Sequence, residues 1–462
     1  MKKIKIYGLY AILSMLTLSS CKDDLLDADS QPSMTQDQFD DLNIKFPEKT
    51  YLIYTGIEAG NNLFMHDFGT LGNYHDDFGV VSYQLGLNFM TDQITMTSQH
   101  WFVHYLNYSA RLETSIRTRA MWSFYYKVIY NMNSGLTLMP EDNNVLTDEI
   151  KHIKARYLAM RADAYFNLIR VYANGDIGVP LFTEKEKIND RVPTSQIRSL
   201  IESDLLEAHT LISGYSRPTK EHINKNVIAG MLARFYLERK DWAKASQYAQ
   251  EALAGYSATA NLFDGFNKID NPEWIWGADV NAETSSYYAS FFSQMGNLNA
   301  GYAGLLQVYK TIDKRLFDKI PATDVRKDWF LDTGNPFGLP KYSNVKFIDD
   351  TDFEGDYVYM RAAEMFLIDA EAKANLNVAQ GQQALNAFVQ TRNPAFVAPA
   401  NQNDLLEEIY YQRSLELWGE GGFAFYDMKR LNRGMNRAYP GSNHTINQFS
   451  YPAGSPKFIF QI

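Results

Sequence analysis

A few places in the sequence carry residue types that could do chemistry. His100 and His104 stand four apart, a spacing that puts both imidazoles on one face of a helix and suits two ligands of a metal ion. No third ligand stands in an obvious position beside them, so surface or core histidines are the plainer reading. Asp350-x-Asp352-x-Glu354-Gly355 imitates the opening of a calcium loop. Its twelfth position is Arg361, where such a loop needs a bidentate carboxylate, so the run reads as a solvated acidic turn. Cys21 is the one thiol. A single cysteine permits no internal disulfide, no multi-cysteine zinc site and no iron–sulfur cluster. There is no Gly-rich phosphate loop, no Gly-x-Ser-x-Gly elbow and no His-Glu-x-x-His pair. The 54 Asp and Glu residues allow many pairings suited to glycoside hydrolysis, and nothing selects one of them. These patterns single out no catalytic residue, no metal site and no cofactor site.

The position of Cys21 explains it. Lys2, Lys3 and Lys5 are followed by an apolar stretch from Ile6 to Leu18. That stretch is shorter than the roughly 20 apolar residues a spanning helix needs. It ends in Leu18-Ser19-Ser20-Cys21, which looks like a bacterial lipobox: small residues let the peptidase close on the backbone, and the thiol is then acylated. Residues 1–20 are therefore expected to be a signal peptide and Cys21 the lipid attachment site. Residues 21–45, rich in Asp, Ser and Gln, read as a linker between lipid and globular domain. Hydrophobic residues at 45% and charged residues at 21% fit a folded chain rather than a disordered one. The net charge of −10 argues against a nucleic-acid partner, whose phosphates call for a basic surface.

Paired helices must form most of the body. From Ile150 to Tyr172, the residues Ala155, Leu158, Ala162, Tyr165, Ile169 and Tyr172 recur at steps of three and four, one buried stripe. Asn174-Gly175 ends that helix. Trp122–Leu138 precedes it with similar spacing. After Pro193, Thr194 or Ser195 is placed to cap a helix carrying Ile197, Ile201, Leu205 and Ala208. Ile223–Glu238 and Trp242–Leu253 form a further pair, with Leu232, Ala233, Tyr236, Ala245, Ala249 and Ala252 at the small and aromatic positions of a tetratricopeptide repeat. A later pair is expected over Arg361–Ala374 and Ala384–Arg392. The fold class is thus mainly α: tetratricopeptide-like helix hairpins packed as a short solenoid, over about 120–256 and 357–430, with an irregular loop-rich lobe inserted at about 257–356. The stretch from Phe46 to about Met96 reads as similarly irregular. Trp274 and Trp276 alternate in a strand-like run, so at least one is expected to be buried.

Four segments in this order resemble the SusD/RagB group, the starch-utilisation-system D family of Bacteroidetes. They are Ala155 to Tyr172 with Gly178-Val179-Pro180-Leu181, the tetratricopeptide pair, Tyr359-Met360-Arg361-Ala362-Ala363-Glu364 through Glu371-Ala372, and Arg413-Ser414-Leu415-Glu416-Leu417-Trp418-Gly419-Glu420-Gly421 with Phe425 to Arg430. Lys22-Asp23-Asp24 is similar to the surface-export signal of lipoproteins from the same bacteria. With the lipobox, the resemblance spans nearly the whole chain, with 46–462 as one SusD-like domain. Its signature charges, Arg156, Arg161 and Arg361 beside Glu364, Glu371, Glu416 and Glu420, are expected to pair and lock helices together. Gln412 stands where relatives usually have Glu, and Gly422-Phe423-Ala424 replaces a common Arg, so one charge network is expected to be rewired. Relatives usually continue beyond Phe458–Ile462, so the sequence is expected to be cut short there.

What the resemblance implies is an outer-membrane, cell-surface lipoprotein that binds glycans. It would sit over a TonB-dependent, SusC-like barrel transporter as its partner and would not be an enzyme. Sugar rings present apolar C–H faces that stack on aromatic side chains, while polar residues read the hydroxyls. The chain holds 30 Tyr, 28 Phe and 7 Trp, and the candidates are those in loops outside the repeat helices. They are Trp101 and Tyr105, then Tyr287 and Tyr288, then Trp329, with Asn88 and Asp92 as hydrogen-bonding neighbours. A peptide-binding relative would use the same scaffold, and a surface hydrolase is the remaining alternative.

Overall fold

The computed structural model describes residues 36–46, 49–67, 69, 74–258 and 261–462. The leader, Cys21 and the start of the linker lie outside them. The chain divides after Leu52 into two units. Among the described residues the first unit holds helix α1 (Gln36–Lys45), whose Asp41 and Lys45 pair across one turn at 2.7 Å.

The second unit is built from helices. After α2 (Thr50–His66) and α3 (Val80–Phe89) come β1 (Ile94–Met96) and the short α4 (Val103–Leu106). The stack proper contains α5 (Ile116–Thr137), α6 (Asp148–Tyr172), α7 (Thr194–Leu211), α8 (Lys225–Arg239) and α9 (Trp242–Ala252). The hairpin β2 (Ile177–Phe182) and β3 (Lys187–Pro193) lies between α6 and α7 in sequence. The lobe then carries β4 (Trp274–Ala278), α10 (Phe291–Met295), β5 (Lys310–Ile312), α11 (Lys314–Asp318) and β6 (Tyr357–Arg361). The stack resumes with α12 (Ala362–Leu376), α13 (Val378–Val389), α14 (Gln402–Glu416) and α15 (Phe423–Arg430).

Each helix from α5 to α9 packs on the next, and α9 packs directly on α12, so the lobe is looped out of a continuous stack. This is the mainly helical, tetratricopeptide-like solenoid with an irregular lobe. Local chemistry sets its boundaries. Thr147 caps α6 by accepting from Ile150 N, and Gly175, at φ +61°, sits in the turn after it. Between α8 and α9, Lys240 takes a left-handed conformation and Asp241 accepts from Lys244 N. Leu232, Ala233, Tyr236, Ala245, Ala249 and Ala252 are all buried.

Three expectations change. Thr194 is not a cap but the first residue of α7; its hydroxyl donates to Gly175 O at 3.0 Å, and Pro193 holds the cap position. The helix expected at Ala384–Arg392 is α13, Val378–Val389; its Gly381 lies so close to Ala374 that a side chain would collide. The stretch from Phe46 to Met96 is not irregular, because it holds α2 and α3. Every residue of α3 but Gln84 is buried, so no polar face marks its period. The expectation that at least one of Trp274 and Trp276 is buried holds: both are, since β4 pairs with β6 and both of its faces are covered.

Close helix crossings depend on glycine. A Cβ at Gly135 of α5 would overlap the ring of Tyr157 on α6, and that ring is buried with its hydroxyl donating to Tyr54 O at 2.5 Å. Gly135→Ala is expected to lower unfolding free energy by about 1–3 kcal/mol, the usual cost of overpacking. Urea denaturation would measure it, and an unchanged midpoint would contradict the crossing.

The signature charges form buried pairs. Arg361 reaches Glu420 at 2.7 Å, Glu416 at 2.8 Å and Glu273 at 2.9 Å. Arg392 joins Glu273 at 2.8 Å, Arg326 joins Glu416 at 3.0 Å and Asp324 at 2.7 Å, and Lys346 joins Glu420 at 2.5 Å. Gln412 Oε1 accepts from Arg326 Nη2 at 2.5 Å, so the amide serves as a neutral acceptor where a Glu would add negative charge. The other signature charges pair elsewhere. Arg156 pairs with Glu58, Arg161 with Asp204 and Glu184, Glu364 with Arg234, and Glu371 with Arg430. Phe423, in the departing Gly-Phe-Ala stretch, lies under the Arg234 guanidinium at 5.3 Å.

Candidate functional site

Antiparallel pairing of β1 with β5 sets Ile94 opposite Ile312 and Met96 opposite Lys310. The pairing runs on past the strand, with Thr97 Oγ1 donating to Gln307 O at 3.0 Å. It brings the turn holding His100 and Trp101 against the loop holding Tyr302. Trp101 stacks on His75 with centroids 5.3 Å apart and planes at 11°. Tyr302 stands 6.5 Å from Trp101 and 4.6 Å from His100, and its hydroxyl meets His75 Nδ1 at 2.8 Å. On its other side, Tyr288 lies 5.8 Å from Tyr302 and 5.4 Å from Phe353. Tyr287 and Tyr288 are 58% and 44% exposed, so this row of rings reaches solvent.

Three non-glycine residues around the row, Tyr287, Gln307 and Phe353, have φ of +50°, +56° and +66°. Left-handed backbone at a bulky residue costs roughly 1–3 kcal/mol and persists where the surroundings hold it. One such hold is Ser285 Oγ, which donates to Phe353 O at 2.7 Å. Burial pushes His75 and His100 below the ordinary histidine range, Asp76 opposing it for His75 and Lys310 adding to it for His100. Both rings are therefore neutral at pH 7. Trp101 Nε1 and His100 Nδ1 are buried and have no hydrogen-bond partner. The surface offers stacked rings edged by neutral polar groups, the chemistry of carbohydrate recognition.

The remaining candidates lie elsewhere and are corrected. Tyr105 is fully buried, its ring pressed where a Cβ on Gly86 would sit. Trp329 is fully buried too, donating from Nε1 to Leu262 O at 2.8 Å. Asn88 is buried and donates to Glu420 O at 3.1 Å. These three are core residues rather than ligand contacts. Asp92 is bound to Arg315 at 3.0 Å and to Asn436 N at 3.1 Å, and lines a polar cleft with Lys319, Tyr410 and Arg433. His104 faces Ser109 at 3.1 Å while His100 rests on Tyr302, so the histidine pair does not converge. Among the described residues no group of three His, Cys, Asp or Glu could hold a metal ion.

Residues 25–237 match a family described as "Starch-binding associating with outer membrane", and residues 332–456 match the SusD family. The chain belongs to the SusD/RagB family. A SusD-like carbohydrate binding protein from Bacteroides vulgatus superposes with a TM-score of 0.76 at 25% identity, over 88% of this chain and 94% of that one. A SusD superfamily protein from the same organism gives 0.74 at 19%, with the same coverage. A laminarin binding SusD-like protein gives 0.65 at 22%, over 82% of this chain and 90% of that one. No curated protein matches the chain significantly. No described helix is long and apolar enough to cross a membrane.

Beyond the residues read from sequence, this SusD-family chain adds His75, Tyr302 and Phe353 to the row. Each stands alone in a non-periodic stretch, and no local signal marks it. A second aromatic feature is a cleft of about 700 Å³ between α5 and the β2–β3 hairpin, lined by Trp122, Tyr126, Tyr130 and Phe182. Its polar groups are largely spent internally. Tyr126 donates to Pro180 O at 2.8 Å, and Asn133 donates to Phe182 O at 3.0 Å while accepting from Arg161 at 2.8 Å. The row at Trp101 is the better carbohydrate platform because its Tyr287 and Tyr288 rings are open to solvent.

Proposed function

We propose that this protein is a glycan-binding lipoprotein of the cell surface, anchored through acylated Cys21, that hands oligosaccharide to a TonB-dependent transporter. It binds and does not cleave. The observation carrying this reading is the row of Trp101, Tyr302, Tyr288 and Phe353, drawn from separate segments into one surface that reaches solvent at Tyr288. The glycan-binding descriptions of the relatives point the same way, as does the outer-membrane description of the family. Native electrophoresis through gels cast with starch, laminarin or other polysaccharides tests it. Retarded migration in at least one gel, without release of reducing ends on incubation, is the expected outcome. Normal migration in all of them, or released product, would contradict it.

The anchor has its own test. Cys21→Ala is expected to move the protein from washed outer membranes to the soluble fraction. Retention of the variant in the membranes would overturn the lipid attachment.

A further inference from the structure

The cleft of about 700 Å³ between α5 and the β2–β3 hairpin shares no lining residue with the row at Trp101. Trp122, Tyr126 and Tyr130 stand four apart on α5, so their rings follow one another along a single helix face over about 12 Å. Pro180 and Phe182 of β2 form the facing wall, with Phe182 set edge-on to Tyr126 at 5.6 Å. Tyr130 is 52% exposed, a large ring left in solvent at one end of the cleft. The polar groups along α5 are already used. Beyond the bonds of Tyr126 and Asn133, Ser134 Oγ donates to Tyr130 O at 2.8 Å and Thr137 Oγ1 to Asn133 O at 2.9 Å. Glu184, the carboxylate among the lining residues, is held by Arg161. Two cations are not used. Lys187 lines the cleft from β3, and Lys127 lies over the Tyr130 ring at 4.9 Å. Neither forms an ion pair with a described residue, and Glu186, next to Lys187, forms none either.

We propose that this cleft is a second ligand site and takes an aromatic carboxylate. Amides and hydroxyls that already bond one another offer little to a hydroxyl-rich sugar, so the cleft favours an apolar body. Rings on both walls suit an aromatic body, which gains from stacked and edge-on contacts alike. The charge left unspent at the mouth is positive, so the complementary ligand carries an anionic head. The aryl group lies along Trp122, Tyr126 and Tyr130, and its carboxylate meets Lys187, with Lys127 adding to the attraction at the Tyr130 end. The site stands apart from the glycan row, so the two ligands do not compete.

The experiment titrates 2-naphthoate into the protein by calorimetry, with the neutral 2-naphthalenemethanol in parallel. One saturable naphthoate site is expected, half-filled below about 1 mM, as a probe of this size allows. The neutral probe gains nothing from the two lysines, so it should bind about threefold more weakly, and added salt should narrow that gap. Tyr130 and Lys187 are exposed, so Tyr130→Ala/Lys187→Gln should fold normally and lose naphthoate affinity by about fivefold or more. Trp101→Ala/Tyr288→Ala should bind naphthoate as the parent does. Absence of saturable naphthoate binding up to about 10 mM, tenfold above the expected value, would overturn the site. So would equal binding of the two probes, an unchanged affinity in Tyr130→Ala/Lys187→Gln, or a comparable loss in Trp101→Ala/Tyr288→Ala.

Discussion

Arg361→Ala is expected to lower unfolding free energy by about 3–5 kcal/mol, enough to leave the chain poorly folded at growth temperature. The guanidinium is 1% exposed and neutralises Glu416 and Glu420 on the segment that ends α14, and Glu273 at the start of β4. Arg392, Arg326 and Lys346 still touch these carboxylates, but removing Arg361 leaves the buried cluster one positive charge short, a penalty that exceeds anything lost by trimming a surface pair. Arg361→Lys should recover only part of the loss, because an ammonium cannot reach three carboxylates with a planar fork. Acid gives the same result by another route. Burial pushes Glu416 up, but Arg392, Arg361 and Arg326 outweigh it and hold the carboxyl well below its ordinary range. Arg361 and Lys346 do the same for Glu420, and Arg413 and Arg430 for Asp427. Folded values below unfolded ones mean that this stabilisation is complete above the ordinary carboxylate range, about 4 to 4.5, and fades as pH falls through the folded values. Urea midpoints should therefore hold at neutral pH and drop steeply below about pH 4. A midpoint that rises on acidification would contradict the pairing.

How much of this could be read from residues alone varies with the physics. The α6 stripe and the alanine-rich α8–α9 pair were legible because amphipathic helices repeat their burial every three to four residues. The cluster around Arg361 was legible in part. The acids Glu416 and Glu420 stand near each other in sequence, but Glu273, Asp324 and Arg392 come from distant segments. Charges at core positions also interrupt the periodicity that would mark their surroundings. Loop aromatics divided for one reason. The lobe buries aromatics of its own, Trp329 and Phe347 packing on Phe266 and Phe347 in turn on Trp418 beyond α14, so an aromatic outside the helices is not thereby exposed. Trp101, Tyr287 and Tyr288 reach solvent, and Tyr105 and Trp329 do not. The row itself depends on β1 and β5, strands of three residues whose side chains are all buried, so no alternation announces them.

The joint variant Trp101→Ala/Tyr288→Ala is expected to lower glycan affinity by one to two orders of magnitude. Each ring contributes roughly 0.5–1.5 kcal/mol beyond the apolar area it covers, and about 1.4 kcal/mol is a factor of ten. Tyr288 is 44% exposed and Trp101 half-buried against His75, so folding of the variant is checked by circular dichroism before binding is compared. Tyr287→Ala, at the more exposed ring, should act in the same direction with a smaller effect. A neutral sugar releases no ions on stacking, so affinity should stay nearly constant between low and high salt.

The central claim is that the row at Trp101 holds a glycan, and calorimetry tests it most directly. The polysaccharide that retards the parent in gels, cut to oligosaccharides, is titrated into the parent and into the folded Trp101→Ala/Tyr288→Ala variant at low and high salt. The account predicts saturable, salt-insensitive binding by the parent and a ten- to hundredfold weaker association with the variant, the range set by two lost stacking contacts. A folded variant that binds as the parent does, or a parent affinity that collapses with salt, would contradict it.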